Sequence, residues 1–307
     1  IFPFFNFWGP AADIRSSRWI VDCAIEEFKL NQPDLQLVYL PHLDYNLQRL
    51  GPNDSRVNKD IRDIDYEAGR LIDFAQEHGA EIMVVSEYGI SEVRQSVSLN
   101  RELRDAGLLR VRESMSWELL DTGASRAFAV ADHQIAHVYV KDHAEIGKVK
   151  KLLENITGVE QVLDAAGQEK QQINHARSGE LIAIAEPECW FDYYYWLDDS
   201  KAPDFARTVD IHRKPGFDPL ELFVDPSIFF PKLKVAFRLT QKTLGMRMLM
   251  DLIPLDTSLV RGSHGRLTSD SEKGPVFISS RKEIANIIKP TFKMQDVNEL
   301  ISQHFIN

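Results

Sequence analysis

Three short polar clusters hold side chains that can bind a cation or move a proton. His42, Asp44 and Gln48 lie in PHLDYNLQRLGPND, directly after the apolar run LQLVYL at 35–40. A second apolar run, EIMVVS at 81–86, leads straight into Glu87 and Tyr88. The third cluster is RGSHGR at 261–266, where Gly262 and Gly265 bracket His264 in a tight loop that leaves its imidazole little shielded. Carboxylates and imidazoles that converge suit a hard or borderline cation such as Zn²⁺, Mn²⁺ or Mg²⁺. Acidic residues after strands also serve as helix caps and turn formers, so spacing alone leaves both roles open.

Two more segments carry groups of this kind. VDIHRKPGFDP holds Asp210, His212, Arg213 and Lys214, with Pro215 and Gly216 forcing a loop. Cations clustered in a fixed loop suit an anionic substrate group; a solvated loop is the alternative. His133 and His137 lie four apart in ADHQIAHVYV, which reads as strand. They would share one sheet face, and packing there is favoured over metal pairing.

The elements that must position these residues follow from periodicity. Ser16 and Ser17 precede the helical pattern WIVDCAIEEFKL and read as its cap. LQLVYL reads as a buried strand ending at Pro41, and the polar stretch up to Gly51-Pro52 as a loop at its carboxyl end. A long amphipathic helix is expected over about 56–78, closed by Gly79, and then EIMVVS as a second buried strand. Strand, helix, strand is a βαβ unit and predicts a parallel sheet. Ligands bind beyond the carboxyl ends of such strands, which would put the first two clusters on one edge.

The pattern changes after about residue 100. AFAVAD (127–132), AHVYVKD (136–142), QVLDA (161–165) and LIAIAE (181–186) read as short strands, and KVKKLLENI as a helix. The expected organisation is a partial α/β core over 1–100, an inserted α+β subdomain over 101–200, and a return to the core over 201–307 through KVAFRL, LGMRMLMDLIP and VFISS. The aromatic run WFDYYYWLDD (190–199) reads as packing between subdomains.

Composition narrows the classes. With 307 residues, 44% hydrophobic and 27% charged, the chain is an ordinary globular protein. No stretch approaches the roughly 20 apolar residues of a membrane span. A net charge of −10 repels phosphate backbones and disfavours a nucleic-acid polymer as partner. It still permits a small anionic substrate, because a bound metal inverts the local field. Cys23 and Cys189 make no disulfide framework and are expected as buried thiols, which leans towards a cytoplasmic location. Nothing in the sequence specifies an oligomeric state. Residue 1 is Ile, and IFPFFNFWGP reads as domain interior, so an N-terminal part is expected to precede it.

From about residue 30 to 280 the sequence resembles the type I phosphodiesterase/nucleotide pyrophosphatase group of the alkaline phosphatase superfamily, which includes the phosphonoacetate hydrolases. VYLPHLDYNLQRLGP places Asp44 on the Asp of that family's Asp-x-x-x-His motif. VVSEYGI stands where Ser-Asp-His-Gly would stand, and SHG places His264 on the distal His. NHARSGELIAIAE and DIHRKPGFDP also resemble family segments. The sequence departs at three positions: Gln48 stands for His, Glu87 for Asp and Tyr88 for His. The resemblance implies a three-layer α/β/α core with two divalent metal ions, zinc by preference, with Mn or Mg as alternatives. It implies Asp44, Gln48, Glu87, Tyr88 and His264 as the metal positions. One ion would take Asp44 and His264 with a third ligand from His42 or Gln48, and Glu87 would belong to the second. His42, His212 and Lys214 are expected on the substrate, and a Thr or Ser nucleophile upstream of residue 1. The implied activity is hydrolysis of a phosphodiester, pyrophosphate or related phosphorus ester. The alternative is a relative that has lost hydrolysis and binds a ligand or partner.

Overall fold

The computed structural model describes residues 2–268, 270–287, 293–303 and 305. Helix α1 (Ile14–Asn31) starts one turn earlier than Ser16 and Ser17 suggest, because the Asp13 carboxylate accepts from the Arg15 N–H and caps it. The two serines are buried in its first turn. Residues 35–40 form no strand pairing. Leu35, Leu37 and Tyr39 point to solvent, so the expected buried strand is corrected to a single uncovered segment. Gln36 ties it to α1 by donating to the Ala24 carbonyl at 2.9 Å.

The expected loop after Pro41 is helix α2 (His42–Leu50), ended by Gly51 at φ 82°. Its polar residues misled the reading: Tyr45 and Gln48 are buried although they are not aliphatic. Helix α3 (Val57–Glu77) falls where the periodicity predicts, and Gly79 follows it at φ 76°. It packs on α1 and α2. Between α1 and α3 the buried Glu67 accepts from Arg18 at 2.7 Å and from Arg70 at 2.5 Å.

Strand β1 (Met83–Val85) pairs antiparallel with residues 277–279, and Val84 and Val85 are partly open to solvent. The expected parallel βαβ unit is therefore not formed. Next come β2 (Ser91–Glu92), β3 (Gln95–Val97), α4 (Leu99–Asp105) and the hairpin β4 (Val111–Ser114) with β5 (Trp117–Leu120).

The main sheet lies in the middle of the chain. Strands β6 (Ala127–Asp132) and β7 (Ile135–Val140), helix α5 (Ile146–Leu153), strand β8 (Val159–Leu163), helix α6 (Ala165–Gln171) and strand β9 (Leu181–Ala185) follow one another. The four strands make an antiparallel sheet in the order β6-β7-β9-β8. Along β6 and β7 buried residues alternate with more open ones, which is why period-two patterning found them. Val138, Val149, Leu153, Leu181 and Ala183 are wholly buried there. Strand β10 (Cys189–Phe191) pairs parallel with β3 and opens the aromatic run. Trp190, Phe191, Tyr193, Tyr194, Tyr195 and Trp196 are all core residues. The buried Asp192 among them accepts from Ser98 Oγ at 2.7 Å and from the Tyr194 N–H at 2.9 Å.

In the last third KVAFRL departs from expectation, while VFISS forms the expected strand. KVAFRL lies inside helix α7 (Pro231–Thr243), which buries no residue. Strand β11 (Gly262–Ser263) pairs with β2, and β12 (Phe277–Ser279) pairs with β1. Helices α8 (Lys282–Ile287) and α9 (Val297–Gln303) follow. Cys189 is buried, whereas Cys23 is exposed, against expectation. Among the described residues, no helix is long and apolar enough to cross a membrane.

Candidate active site

Three contacts set the position of His264. The Arg261 N–H donates to the Gln48 carbonyl at 2.9 Å, and the Gln134 N–H donates to the His264 carbonyl at 2.8 Å. Gly262 lies so close to α2 that a Cβ there would stand 2.1 Å from the Leu47 carbonyl oxygen. The loop is thus clamped between α2 and the turn joining β6 to β7.

Asp44 and Gln48 lie one turn apart on α2 and face this loop. Tyr88, from the segment after β1, links the two sides. Its hydroxyl donates to Asp44 Oδ1 at 3.3 Å. Its ring stacks on the His264 imidazole with centroids 3.6 Å apart and planes within 3°. His133 lies 3.8 Å from His264, centroid to centroid, and Phe217 lies 4.4 Å from His133. The four rings form a column. His133 holds φ 58° in the β6–β7 turn, so it does not share a strand face with His137. Phe217 is placed by Gly216, which packs on β6 where a Cβ would come within 2.4 Å of the Ala131 carbonyl oxygen.

Burial dominates the electrostatics. It raises the Asp44 carboxyl above the usual carboxylate range, with Glu87 and Asp132 adding to the shift and Gln48 and Tyr88 opposing it. Tyr88 is held well above an ordinary phenol by burial and by the Asp44 carboxylate, so it stays a neutral donor. Burial pushes His264 down to about 4 and His133 well below its usual value. At neutral pH both imidazoles carry a free lone pair. Gln48 lies beside Asp44, yet neither end of its buried amide makes a hydrogen bond of ordinary geometry. Ser263 Oγ and His133 Nδ1 are likewise buried without a partner.

The remaining predicted residues go elsewhere. Glu87 is exposed, although its charge reaches Asp44 and Tyr39. His42 faces α3, with Nε2 3.2 Å from Asp60 Oδ1. Lys214 is fully enclosed and pairs with Asp218 and Glu221, each at 2.7 Å, while donating to the Thr208 carbonyl at 3.0 Å. It offers no free ammonium to a substrate, which corrects that expectation. His212 is exposed on the same loop. That loop reaches the site through Ile211 and Phe217, which border a cleft of about 800 Å³ that also takes in Asp44. Trp8, Trp19, Tyr39 and Tyr45 line it as well.

Sequence reasoning missed Tyr39 and Phe217, and it weighed His133 only as a partner of His137 on a strand face. The signal for His133 was its place next to Asp132 at the end of an alternating strand, where a turn was due.

The profile of the type I phosphodiesterase / nucleotide pyrophosphatase family matches residues 5–218. The chain belongs to this family. It is an α/β fold of the alkaline-phosphatase kind. Phosphonoacetate hydrolase from Sinorhizobium meliloti 1021, solved with phosphonoformate, is 14% identical over 92% of this chain and 52% of its own, with a TM-score of 0.51. Murine ectonucleotide pyrophosphatase / phosphodiesterase 5 is 15% identical over 84% of this chain and 50% of its own, with a TM-score of 0.47. The chain therefore spans about half the length of these structures. Among curated proteins no sequence matches it significantly.

Proposed function

We propose that the protein hydrolyses a phosphodiester, pyrophosphate or related bond of a small anionic phosphorus compound at the site built by Asp44, Tyr88 and His264. One observation carries this reading. Residues from three distant segments, each at a position that the resemblance implies for a metal, touch one another: Tyr88 reaches Asp44 at 3.3 Å, and its ring lies 3.6 Å from that of His264, centroid to centroid. A divalent cation is in keeping with the family. The donor set fits one ion better than two. Asp44, the orphaned Gln48 Oε1 and His264 would hold it, and they combine a carboxylate, an amide oxygen and a neutral imidazole. Among the described residues a second ion finds no comparable set beside it. Tyr88 keeps its proton and covers His264, and Glu87 lies in solvent. When bound, the cation supplies charge stabilisation to the phosphoryl oxygens. Zinc is our choice for a site that includes imidazole.

The chain's own groups do the rest. Tyr88 donates its hydroxyl proton in a hydrogen bond to whatever acceptor stands at Asp44. The aromatic cleft of Trp8, Trp19, Tyr39 and Phe217 holds the apolar part of the substrate and keeps water from it. In the reaction a water oxygen ends on phosphorus and a water proton on the departing oxygen. The test is turnover of bis-p-nitrophenyl phosphate with zinc, manganese or magnesium. We expect chelator-sensitive release of nitrophenolate and a loss of about 100-fold or more in Asp44→Asn. Turnover that ignores both chelator and Asp44→Asn would defeat this reading.

The contact of Tyr88 with both Asp44 and His264 also favours a second reading, a binding protein on the same fold. Tyr88 then acts as a lid over the ligand position. Saturable binding of a nucleotide or phosphonate without turnover would establish that reading in place of the first.

A further inference from the structure

A second polar cluster joins α2 to α3, away from the site described above. His42 and Asp44 share α2 but lie about 200° apart around its axis. His42 is 3% exposed, and neither ring nitrogen makes a hydrogen bond. Its Nε2 stands 3.2 Å from Asp60 Oδ1 without the alignment of one. Asp63 follows one turn after Asp60 on α3. One donor atom from each of His42, Asp60 and Asp63 lies within 4.8 Å of the other two. Asp60 is 6% exposed, and both its oxygens accept from Asn46 Nδ2 at 3.0 Å. A buried imidazole with both nitrogens idle beside two carboxylates needs a partner that accepts its lone pair.

We propose that His42, Asp60 and Asp63 bind one divalent metal ion of the zinc or manganese class, which clips the start of α2 to α3. One imidazole and two carboxylates form a recognised donor set for such ions, and water completes the shell. Bonds of about 2.1 Å place neighbouring donors about 3.4 Å apart, so modest side-chain rotation closes the cluster. The two carboxylates neutralise the ion. Asn46 orients Asp60 as an outer-shell donor. The Lys59 ammonium, which pairs with Asp63, is largely exposed and moves into solvent when the ion enters. Because α2 also carries Asp44 and Gln48, the clip fixes the helix on which the candidate active site is built. It needs no hydrolysis at that site.

The test uses the full chain, stripped with chelator and titrated with Zn²⁺. Binding is followed by calorimetry and thermal melting, and Co²⁺ serves as a spectroscopic probe of the shell. We expect the double variant Asp44→Asn, His264→Asn to keep one equivalent of zinc and the rise in melting temperature it causes. Asp63→Asn, at a partly exposed position that leaves the fold intact by circular dichroism, should lose about 100-fold or more in affinity for that equivalent. His42→Gln should do the same. Wild-type affinity in folded Asp63→Asn, or no zinc in the Asp44, His264 double variant, would overturn the proposal. Loss of turnover alone, with this equivalent retained, counts against the hydrolase reading and not against the clip.

Discussion

His264 is an imidazole held neutral between two rings, and its protonation should register in the stability of the protein. Its folded value of about 4 lies below the usual 6.5, so the unfolded chain takes up a proton first as pH falls. The neutral form therefore contributes stability fully above about pH 6.5, and that contribution is lost on the way down to about 4. The buried His133 is shifted the same way and adds to the slope. Urea midpoints at pH 7.5 and 4.5 should differ, and His264→Asn should shrink the difference. An unchanged difference would mean that other groups carry it. At this scale the sequence was legible in that three residues singled out by the resemblance come together. Asp44, Tyr88 and His264 meet, although they are far apart in the chain. It was not legible for Lys214, because an ammonium enclosed by two carboxylates has the same local sequence as one facing a substrate.

Elements bring those residues together, and two substitutions test how. Lys214→Met leaves Asp218 and Glu221 buried without their cation. Removing one side of such a cluster costs about 3–5 kcal/mol, so the melting temperature should fall sharply. A substrate-binding role would instead raise KM with stability unchanged. Gly262→Ala places a Cβ against the Leu47 carbonyl, which must push β11 off α2. We expect a loss of stability together with loss of activity, because His264 rides on that loop. Elements in the middle of the chain were legible because β6 and β7 show period two and β9 is a short, almost wholly buried apolar run, all against a real core. Helix α2 was not, because its buried face is made of Tyr45 and Gln48 and looks like a loop. Residues 35–40 were misassigned as a strand, and β1, a strand as expected, was misread as buried and parallel for a related reason. Apolar runs predict burial, but no strand covers the first, and the second pairs antiparallel with β12.

At the scale of the molecule, one core of aliphatic and aromatic residues is built around the antiparallel sheet and the run from Trp190 to Trp196. The candidate active site lies where three peripheral pieces meet one end of that sheet: α2, the segment after β1, and the loop after β11. Family membership and this convergence support each other, and together they make phosphorus-ester hydrolysis the central claim. Its most direct measurement is phosphorus NMR of a diester incubated with the full chain and zinc, beside the same chain carrying Asp44→Asn. The account predicts a growing monoester signal with the native chain and almost none with the variant. Equal monoester from both, or an unchanged diester with a chain shown to have bound it, would contradict the account.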